Sequence, residues 1–191
     1  DIILDFFSGS GTIAESVALH NLNNGYNCKY ILVQIQENLH QTLASATGGA
    51  KATVKNAIKY LENIGKPTNI CELAKQRISL VNEDLCNNSN FSDLDTGFKV
   101  FKLDSSNIKA WDGGSEDLQK ALFDAVENIK LDRTEEDVLY EILLKYGLDL
   151  TLPIEEKTIA ACTVYSIGFG ALFICLADNI TAKVAEGIGA W

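Results

Sequence analysis

The sequence predicts an α/β fold, and three observations carry that prediction. The chain opens with an almost unbroken apolar run of strand length at residues 2–7, and a second such run follows at residues 29–35. Between them, from Thr12 onward, apolar residues recur at helical spacing. Strands that alternate with helices are typical of a parallel sheet, whose strands are covered on both faces. We therefore expect residues 2–7 to form a buried strand.

The size and charge of the chain limit its organisation and function. Its 191 residues, 47% of them hydrophobic, suffice for one large domain or two small ones. We expect a cofactor-binding part at residues 1–90 and a C-terminal α/β interaction domain at residues 91–191, because a polar, Asn-rich stretch lies at residues 83–95. The formal net charge of −10 argues against a DNA-binding surface on this chain alone, since phosphate contacts need clustered Lys and Arg.

The cysteines and histidines do not form a metal motif. The five cysteines are an odd number and show no C-x-x-C spacing, and the two histidines share no motif with them. We expect reduced thiols in a cytoplasmic protein and no metal site.

The uncharged stretch at residues 159–177 has nearly the length of a membrane span. However, β-rich runs lie on both sides of the sequence Gly168-Phe169-Gly170, and glycines at these positions are typical of a hairpin. We predict a β-hairpin here and no membrane segment.

A glycine turn at residues 8–11 lies between the first strand and the first helix. Gly9 and Gly11 can take positive φ and let a ligand approach the backbone. The helix that begins at Thr12 directs its first N–H groups into this turn, which favours a carboxylate or a phosphate. A dinucleotide would use the pattern Gly9-x-Gly11-x-x-Ala14. S-adenosylmethionine would use a strand that ends in D-x-F-x-G-x-G, and this pattern is also present.

The second strand ends beside the glycine turn in a doubly wound sheet, and the residue there is Gln34. Nucleotide-binding enzymes usually have Asp or Glu at this place, because a carboxylate accepts hydrogen bonds from both ribose hydroxyls. The amide oxygen of Gln34 can also accept, and Glu37 is a nearby substitute. Alternatively, Gln34 merely ends a strand.

Capping and periodicity signals predict the next elements. An amphipathic helix is expected at residues 52–64, and a second one after Asn69, because Asn69-x-x-Glu72 suits a capping box. Residues 97–103 alternate between apolar and polar side chains, which predicts a half-buried strand.

Two helices and the hairpin complete the second half. Apolar residues at helical spacing predict a helix at residues 115–131. Thr134 and Asp137 have the spacing of a cap for a further helix, which ends at Gly147. The acidic character of these helices suits a surface for a protein partner.

The sequence Asp-Phe-Phe-Ser-Gly-Ser-Gly-Thr at residues 5–12 resembles motif I of amino-methylating DNA methyltransferases, D-x-F-x-G-S-G-T-T, at every position except Ile13. Taken together, the chain resembles the C-terminal part of the modification (Mod) subunit of type III restriction-modification systems, a β-type adenine-N6 DNA methyltransferase. The run at residues 97–107 is specific to this group. The resemblance is carried by residues 4–12, 29–37, 70–78, 97–107, 139–147 and 163–172.

The resemblance implies part of a Rossmann-like, S-adenosylmethionine-dependent methyltransferase sheet, followed by a smaller C-terminal α/β domain with a β-hairpin. Asp5 would contact the amino acid end of the ligand or order the loop, and Phe7 would pack near the ligand. Gln34, which the family tolerates, would take the ribose. The implied cofactor-binding residues are Asp5, Phe7, Ser8, Gly9, Ser10, Gly11, Thr12 and Gln34.

The resemblance assigns no catalytic residue to this chain. The family holds its target base with D/N-P-P-Y/F, which binds the amine and stacks on the flipped base. Pro67 and Pro153 are the only prolines and are not adjacent, so this motif is not in the sequence. The β-type members are circularly permuted, with the catalytic motif and the target-recognition domain before motif I. We therefore expect a fragment that is inactive alone and reaches DNA through a missing N-terminal portion.

The resemblance also implies partners, namely a homodimer in the full-length protein and the restriction (Res) subunit. Two other functions stay open. The first is an NAD-binding Rossmann oxidoreductase domain, which the pattern Gly9-x-Gly11-x-x-Ala14 would serve. The second is a structural or assembly module without cofactor binding. One departure from the family is Gly168-Phe169-Gly170 in place of Gly-Asp-Gly, which affects only the geometry of the hairpin.

Overall fold

The computed structural model describes residues 1–88, 95–109 and 128–191, without the side chain of Asn88. The chain divides into two compact units, Asp1–Phe98 and Lys99–Trp191. In the described residues the first unit has a parallel pair of strands and the second has an antiparallel sheet of three strands. The protein is therefore a mixed α/β protein with small sheets.

The first unit begins with a β-α-β arrangement. Its strands pair in parallel with Ile2 opposite Lys29, and the helix between them follows Gly11 and ends at Gly25. Both glycines are left-handed, with φ of 76° and 67°, which terminates the helix at each end. The elements are β1 (Ile2–Asp5), α1 (Thr12–Asn24), β2 (Lys29–Leu32), α2 (Leu39–Ser45), α3 (Gly48–Asn63) and α4 (Ile70–Asn88).

Helices α2, α3 and α4 form an apolar core. Its buried members are Leu39, Ile58 and Leu61. Half of the predicted capping box of α4 is present: Asn69 Oδ1 accepts a hydrogen bond from the backbone N–H of Glu72 at 2.9 Å, whereas the backbone N–H of Asn69 donates to the carbonyl oxygen of Pro67. Helix α1 contacts both α4 and β2, and it therefore links the helices to the strand pair.

Strand β1 is not covered on both faces, contrary to the prediction. Leu4 is 57% exposed, and its register partner Ile31 and Ile2 are exposed as well, whereas Ile3 and Tyr30 on the other face are partly buried. The physical reason is that the described sheet has two strands, so only the face toward the helices is packed. The predicted strand at residues 2–7 is confirmed only for Ile2–Asp5, because residues 6 and 7 belong to the turn, and its burial was predicted wrongly.

The second unit is built around an antiparallel sheet in the order β3-β4-β5. The predicted hairpin is confirmed as the pair β4 and β5, in which Ile167 lies opposite Leu172. Strand β3 was not predicted. Leu139, Leu143, Ile167 and Ile174 form the buried core between helix and sheet. The elements are α5 (Glu135–Lys145), β3 (Ile154–Ile159), β4 (Cys162–Ile167), β5 (Leu172–Cys175) and α6 (Ala182–Gly189).

Helix α5 has the predicted capping box. Asp137 N donates to Thr134 Oγ1 at 3.2 Å, and Thr134 N donates in return to Asp137 Oδ2 at 2.8 Å. The chain leaves the helix through Gly147, which has φ of 68°. Across the described ranges, none of the helices has both the length and the apolar character needed to cross a membrane.

Residues 97–103 do not form the predicted strand. No strand of the described residues pairs with them, so these residues form no β-ladder despite their alternating pattern. Instead, the segment is held by side chains: Lys99 Nζ donates to the carbonyl oxygen of Leu150 at 2.8 Å, and the ring of Phe101 lies edge-on to that of Tyr140 at 4.9 Å.

Most of the helix predicted at residues 115–131 lies outside the described residues. Its last part is described and is not helical. Ile129 instead forms an antiparallel bridge with Ile108, and Lys109 N donates to Asn128 O at 2.6 Å. The predicted helix therefore does not extend to residue 131.

Candidate functional site

The glycine turn connects the carboxyl end of β1 to helix α1. Gly9 and Gly11 both have positive φ, 53° and 76°. Gly11 N donates to the carbonyl oxygen of Ser8 at 2.8 Å, and Ala14 N donates to that of Gly11 at 3.2 Å. The turn is therefore a hydrogen-bonded structure that needs a left-handed backbone at two positions.

Asp5 and Ser8 fix the start of this turn. Asp5 Oδ1 accepts a hydrogen bond from the backbone N–H of Phe7 at 3.0 Å, which orders the chain where the strand ends. The backbone N–H of Ser8 donates to the carbonyl oxygen of Val33 at 3.3 Å, and the Ser8 hydroxyl donates to the same oxygen at 3.4 Å. The turn is thus tied to the chain that follows β2.

Gln34 lies directly beside the turn. Its Oε1 accepts a hydrogen bond from the backbone N–H of Gly9 at 2.7 Å, and its Nε2 donates to the carbonyl oxygen of Ile35 at 3.0 Å. Gln34 lies two residues after the end of β2, and the topology of a parallel pair predicts that this end of the strand lies beside the turn. The structure thus brings Gln34 and Gly9 together, although they are 25 positions apart.

The two glycines face different surroundings. A Cβ on Gly11 would lie 3.4 Å from Ala74 Cβ and 3.6 Å from Ile78 Cδ1, both on α4. A Cβ on Gly9 would meet only the carbonyl oxygen of Phe7, at 4.0 Å. Gly11 therefore serves the packing of α1 against α4, whereas Gly9 leaves open space beside the turn.

The other predicted site residues line the same region. Phe7 is 82% exposed and its ring lies 5.3 Å from that of Phe6, so Phe7 is not a core residue. Ser10 is partly buried and Thr12 is exposed at the first position of α1. Gly11 gives this helix no side-chain cap, and the positive end of the helix is therefore available to an anionic group.

Two contacts from α4 were not foreseen from the sequence. The thiol of Cys71 donates to the carbonyl oxygen of Gln34 at 3.7 Å, and burial raises the pKa of this thiol, so it is held as the neutral donor. Arg77 Nη1 pairs with Glu15 Oε2 at 3.2 Å and links α4 to α1. No local sequence pattern predicts these contacts, because the partners are 37 and 62 positions apart.

An open groove lies just after Gln34. One part, of about 420 Å³, is lined by amide, hydroxyl and backbone groups that include Gln36, Asn38 and Thr68. A second part, of about 500 Å³, includes Glu37, which the sequence analysis named as a substitute for Gln34. Both parts are open to solvent, and polar and apolar surface contribute about equally to their lining.

The arrangement is suited to binding. It combines a strand end, a left-handed glycine turn and a helix N-terminus without a side-chain cap, features that favour an anionic or polar ligand. Within residues 1–88, 95–109 and 128–191, no group of three or more His, Cys, Asp or Glu side chains is placed to hold a metal ion. Comparison of the chain with protein-family models and with curated proteins gives no match.

Proposed function

We propose that this chain is the S-adenosylmethionine-binding and C-terminal portion of a site-specific DNA adenine-N6 methyltransferase of a type III restriction-modification system. The observation that carries the proposal is the glycine turn at residues 8–11, which follows a parallel strand and opens directly into helix α1. It has the motif I sequence at residues 5–12. In this proposal β1 and β2 are two strands of a larger Rossmann-like sheet.

The exposed face of the strand pair supports a larger sheet. Parallel strands with apolar residues on both faces are found almost only where both faces are covered. Here Ile2, Leu4 and Ile31 form an exposed apolar face, and a two-stranded sheet is marginal on its own. We propose that further parts of a methyltransferase domain cover this face.

The ligand contacts follow from the geometry of the turn. The methionine part of S-adenosylmethionine would lie against Gly9, where the backbone faces open space. Its carboxylate would lie near the N-terminus of α1 at Thr12. Asp5 orders the strand end through Phe7 N–H, and Gln34 lies on the side of the turn where the ribose would be.

Methyl transfer itself would need parts that this chain does not supply. In the full-length protein the adenine amine would attack the methyl group of the sulfonium and lose a proton as S-adenosylhomocysteine leaves, and this chemistry belongs largely to the cofactor. We propose that DNA is held by an N-terminal portion with the catalytic motif, and that the full-length protein forms a homodimer that binds a restriction subunit. The 191-residue chain alone is expected to methylate no DNA.

Calorimetric titration tests the cofactor site. We expect S-adenosylmethionine and S-adenosylhomocysteine to bind and NAD not to bind. The substitution Gly9→Ala should abolish or strongly weaken binding, because it places a methyl group where the ligand meets the backbone. Gly25→Ala is the matched control: Gly25 also has a positive φ, of 67°, and a Cβ there meets nothing within 4 Å. It introduces similar backbone strain far from the turn and should leave affinity unchanged.

Other outcomes favour other functions. Binding of NAD without the methyl-donor pair would favour an oxidoreductase domain, for which the buried Ala14 at the third position of Gly9-x-Gly11-x-x-Ala14 is suitable. If no ligand binds to a chain that circular dichroism shows to be folded, the cofactor site is refuted for this chain. An assembly module would then be the better interpretation, and sedimentation would have to show self-association.

A further inference from the structure

Gln34 uses both ends of its amide within the turn region. Oε1 accepts from the N–H of Gly9 at 2.7 Å while Nε2 donates to the carbonyl oxygen of Ile35 at 3.0 Å. One planar group must supply an acceptor and a donor at the same time. An amide does so, whereas an ionised carboxylate only accepts. The Gln34 amide can therefore make both bonds, whereas a glutamate could make only the bond from Gly9.

The backbone around Gln34 is held from two directions. The Cys71 thiol on α4 donates to the carbonyl oxygen of Gln34 at 3.7 Å. On the other side, the carbonyl oxygen of Val33 accepts from the backbone N–H of Ser8 at 3.3 Å. These contacts fix the position from which the Gln34 side chain reaches Gly9, so the bond between them is preorganised by the fold.

We infer that Gln34 is a positioning residue of the cofactor site: it fixes the backbone of Gly9 instead of holding the ribose hydroxyls. This inference rests on the proposed function. Oε1 already accepts from Gly9 and Nε2 already donates to Ile35, so a ribose contact through the amide would have to share groups that are engaged with the backbone. Holding Gly9 in its left-handed conformation before the ligand arrives reduces the ordering that binding requires.

A double-mutant-type cycle that combines one substitution with one change in the ligand distinguishes positioning of Gly9 from binding of the ribose. The affinity of the unaltered chain and of Gln34→Ala is measured for S-adenosylhomocysteine and for its 2′,3′-dideoxy analogue. If Gln34 acts through Gly9, the substitution weakens both ligands equally, by about three- to tenfold for one lost hydrogen bond. If Gln34 binds the ribose, the substitution weakens only the ligand that has hydroxyls, and that result overturns the inference.

Gln34→Glu is the second variant, and it guards against a simple loss of folding. It keeps an acceptor for the Gly9 N–H, so it should bind both ligands better than Gln34→Ala does. A gain in affinity confined to the hydroxylated ligand would again point to ribose contact and contradict the inference. Asn23→Ala, which removes an exposed amide of the same unit, is the control for affinity and folding.

The exchange rate of the Gly9 amide in the ligand-free chain tests the bond itself. We expect this amide to be protected in the unaltered chain and in Gln34→Glu, and to exchange faster in Gln34→Ala. Equal exchange in all three would refute the bond, whether or not a ligand binds. If the unaltered chain binds neither ligand, the proposed function fails, and the positioning role for a ligand fails with it. Protection of Gly9 would then report only the local structure.

Discussion

Gly11 lies directly against Ala74: a Cβ on Gly11 would be 3.4 Å from the Cβ of Ala74. Gly11 also has φ of 76°, a conformation that costs an L-residue about 1–2 kcal/mol. This glycine is therefore required by the fold, before any ligand is considered. Loss of ligand binding after a change at Gly11 would not by itself identify a ligand contact, which is why Gly9 is the better probe.

Gly11→Val should destabilise the first unit by about 2–5 kcal/mol, combining the strain of positive φ with overpacking against α4. The measurement is hydrogen exchange of the amides in α1 and α4. Gly25→Val is the control, since Gly25 has a similar φ of 67° and open space around it. The difference between the two losses in free energy of unfolding measures the packing contribution at Gly11. Equal losses at the two glycines would contradict the contact with Ala74.

Local signals explain which parts of the fold could be predicted from the sequence. The caps at Asn69 and Thr134 were predictable because both partners lie within three residues. Strand β3 was missed because its turn is formed by Ala160 and Ala161, which adopt φ of 48° and 68°. Such angles normally select Gly, Asn or Asp, so two alanines give no turn signal.

In the candidate site, too, the features set by local sequence could be predicted and the contacts between distant segments could not. The order of strand, turn and helix was readable from residues 5–12, and the topology of a parallel pair placed Gln34 beside Gly9. The bonds that the Gln34 amide makes, and the contact of Gly11 with Ala74, depend on packing between distant segments. The exposure of Leu4 also depends on which elements cover the sheet, and these cannot be predicted from an apolar strand pattern.

Phe169 occupies a position that disfavours its own side chain. It has φ of 60° and is 85% exposed, so it gains little from burial while its backbone is strained. Phe169→Asn should stabilise the second unit by about 1 kcal/mol, because Asn tolerates the left-handed conformation. Urea unfolding followed by tryptophan fluorescence measures this, since Trp191 lies in that unit and the sequence has no tryptophan in residues 1–98.

The control for Phe169 is Ile180→Asn. Ile180 is also exposed and apolar, and it is not among the positive-φ residues. The same polar replacement there should have little effect on the free energy of unfolding. Equal stabilisation at both positions would attribute the gain to surface polarity and would contradict relief of strain at Phe169.

Glu141 should make the second unit sensitive to acid. Its carboxylate accepts hydrogen bonds from Lys145 Nζ at 2.8 Å, Ser106 Oγ at 2.6 Å and Asn107 N at 2.6 Å. The bond from Lys145 is the main cause that lowers the pKa of Glu141 to about 2. Because this pKa is lowered on folding, its contribution is present above the ordinary pKa of about 4.3 and is lost as the pH falls toward 2.

The test of Glu141 compares unfolding at pH 7 and pH 3. The Glu141 side chain is 14% exposed, and Glu141→Ala should cost about 1.5–3 kcal/mol at pH 7 and less at pH 3. Some acid dependence will remain, since the bond from Arg133 also lowers the pKa of Asp104 to about 2. Glu155→Ala, at an exposed position in β3, is the control. An unchanged pH dependence in Glu141→Ala would contradict this assignment.

Tyr165 should limit stability at the alkaline end. Its hydroxyl donates to Glu135 Oε2 at 2.9 Å. Burial, and then this bond to a negative carboxylate, raises the pKa of Tyr165 to about 12. The folded state therefore holds the phenol proton more tightly than the unfolded chain. This contribution to stability is complete below the ordinary pKa of about 10 and is lost as the pH rises toward 12.

Glu135→Gln separates the two causes at Tyr165. Removing the negative charge should lower the pKa of Tyr165 below 12, while burial keeps it above the ordinary value. Phenolate absorbance measures the titration, and subtracting the spectrum of Tyr165→Phe isolates this residue from the other tyrosines. Glu186→Gln changes an exposed carboxylate in α6 and should leave the midpoint in place. If Glu135→Gln leaves it in place as well, burial alone sets the pKa and the bond to Glu135 contributes nothing.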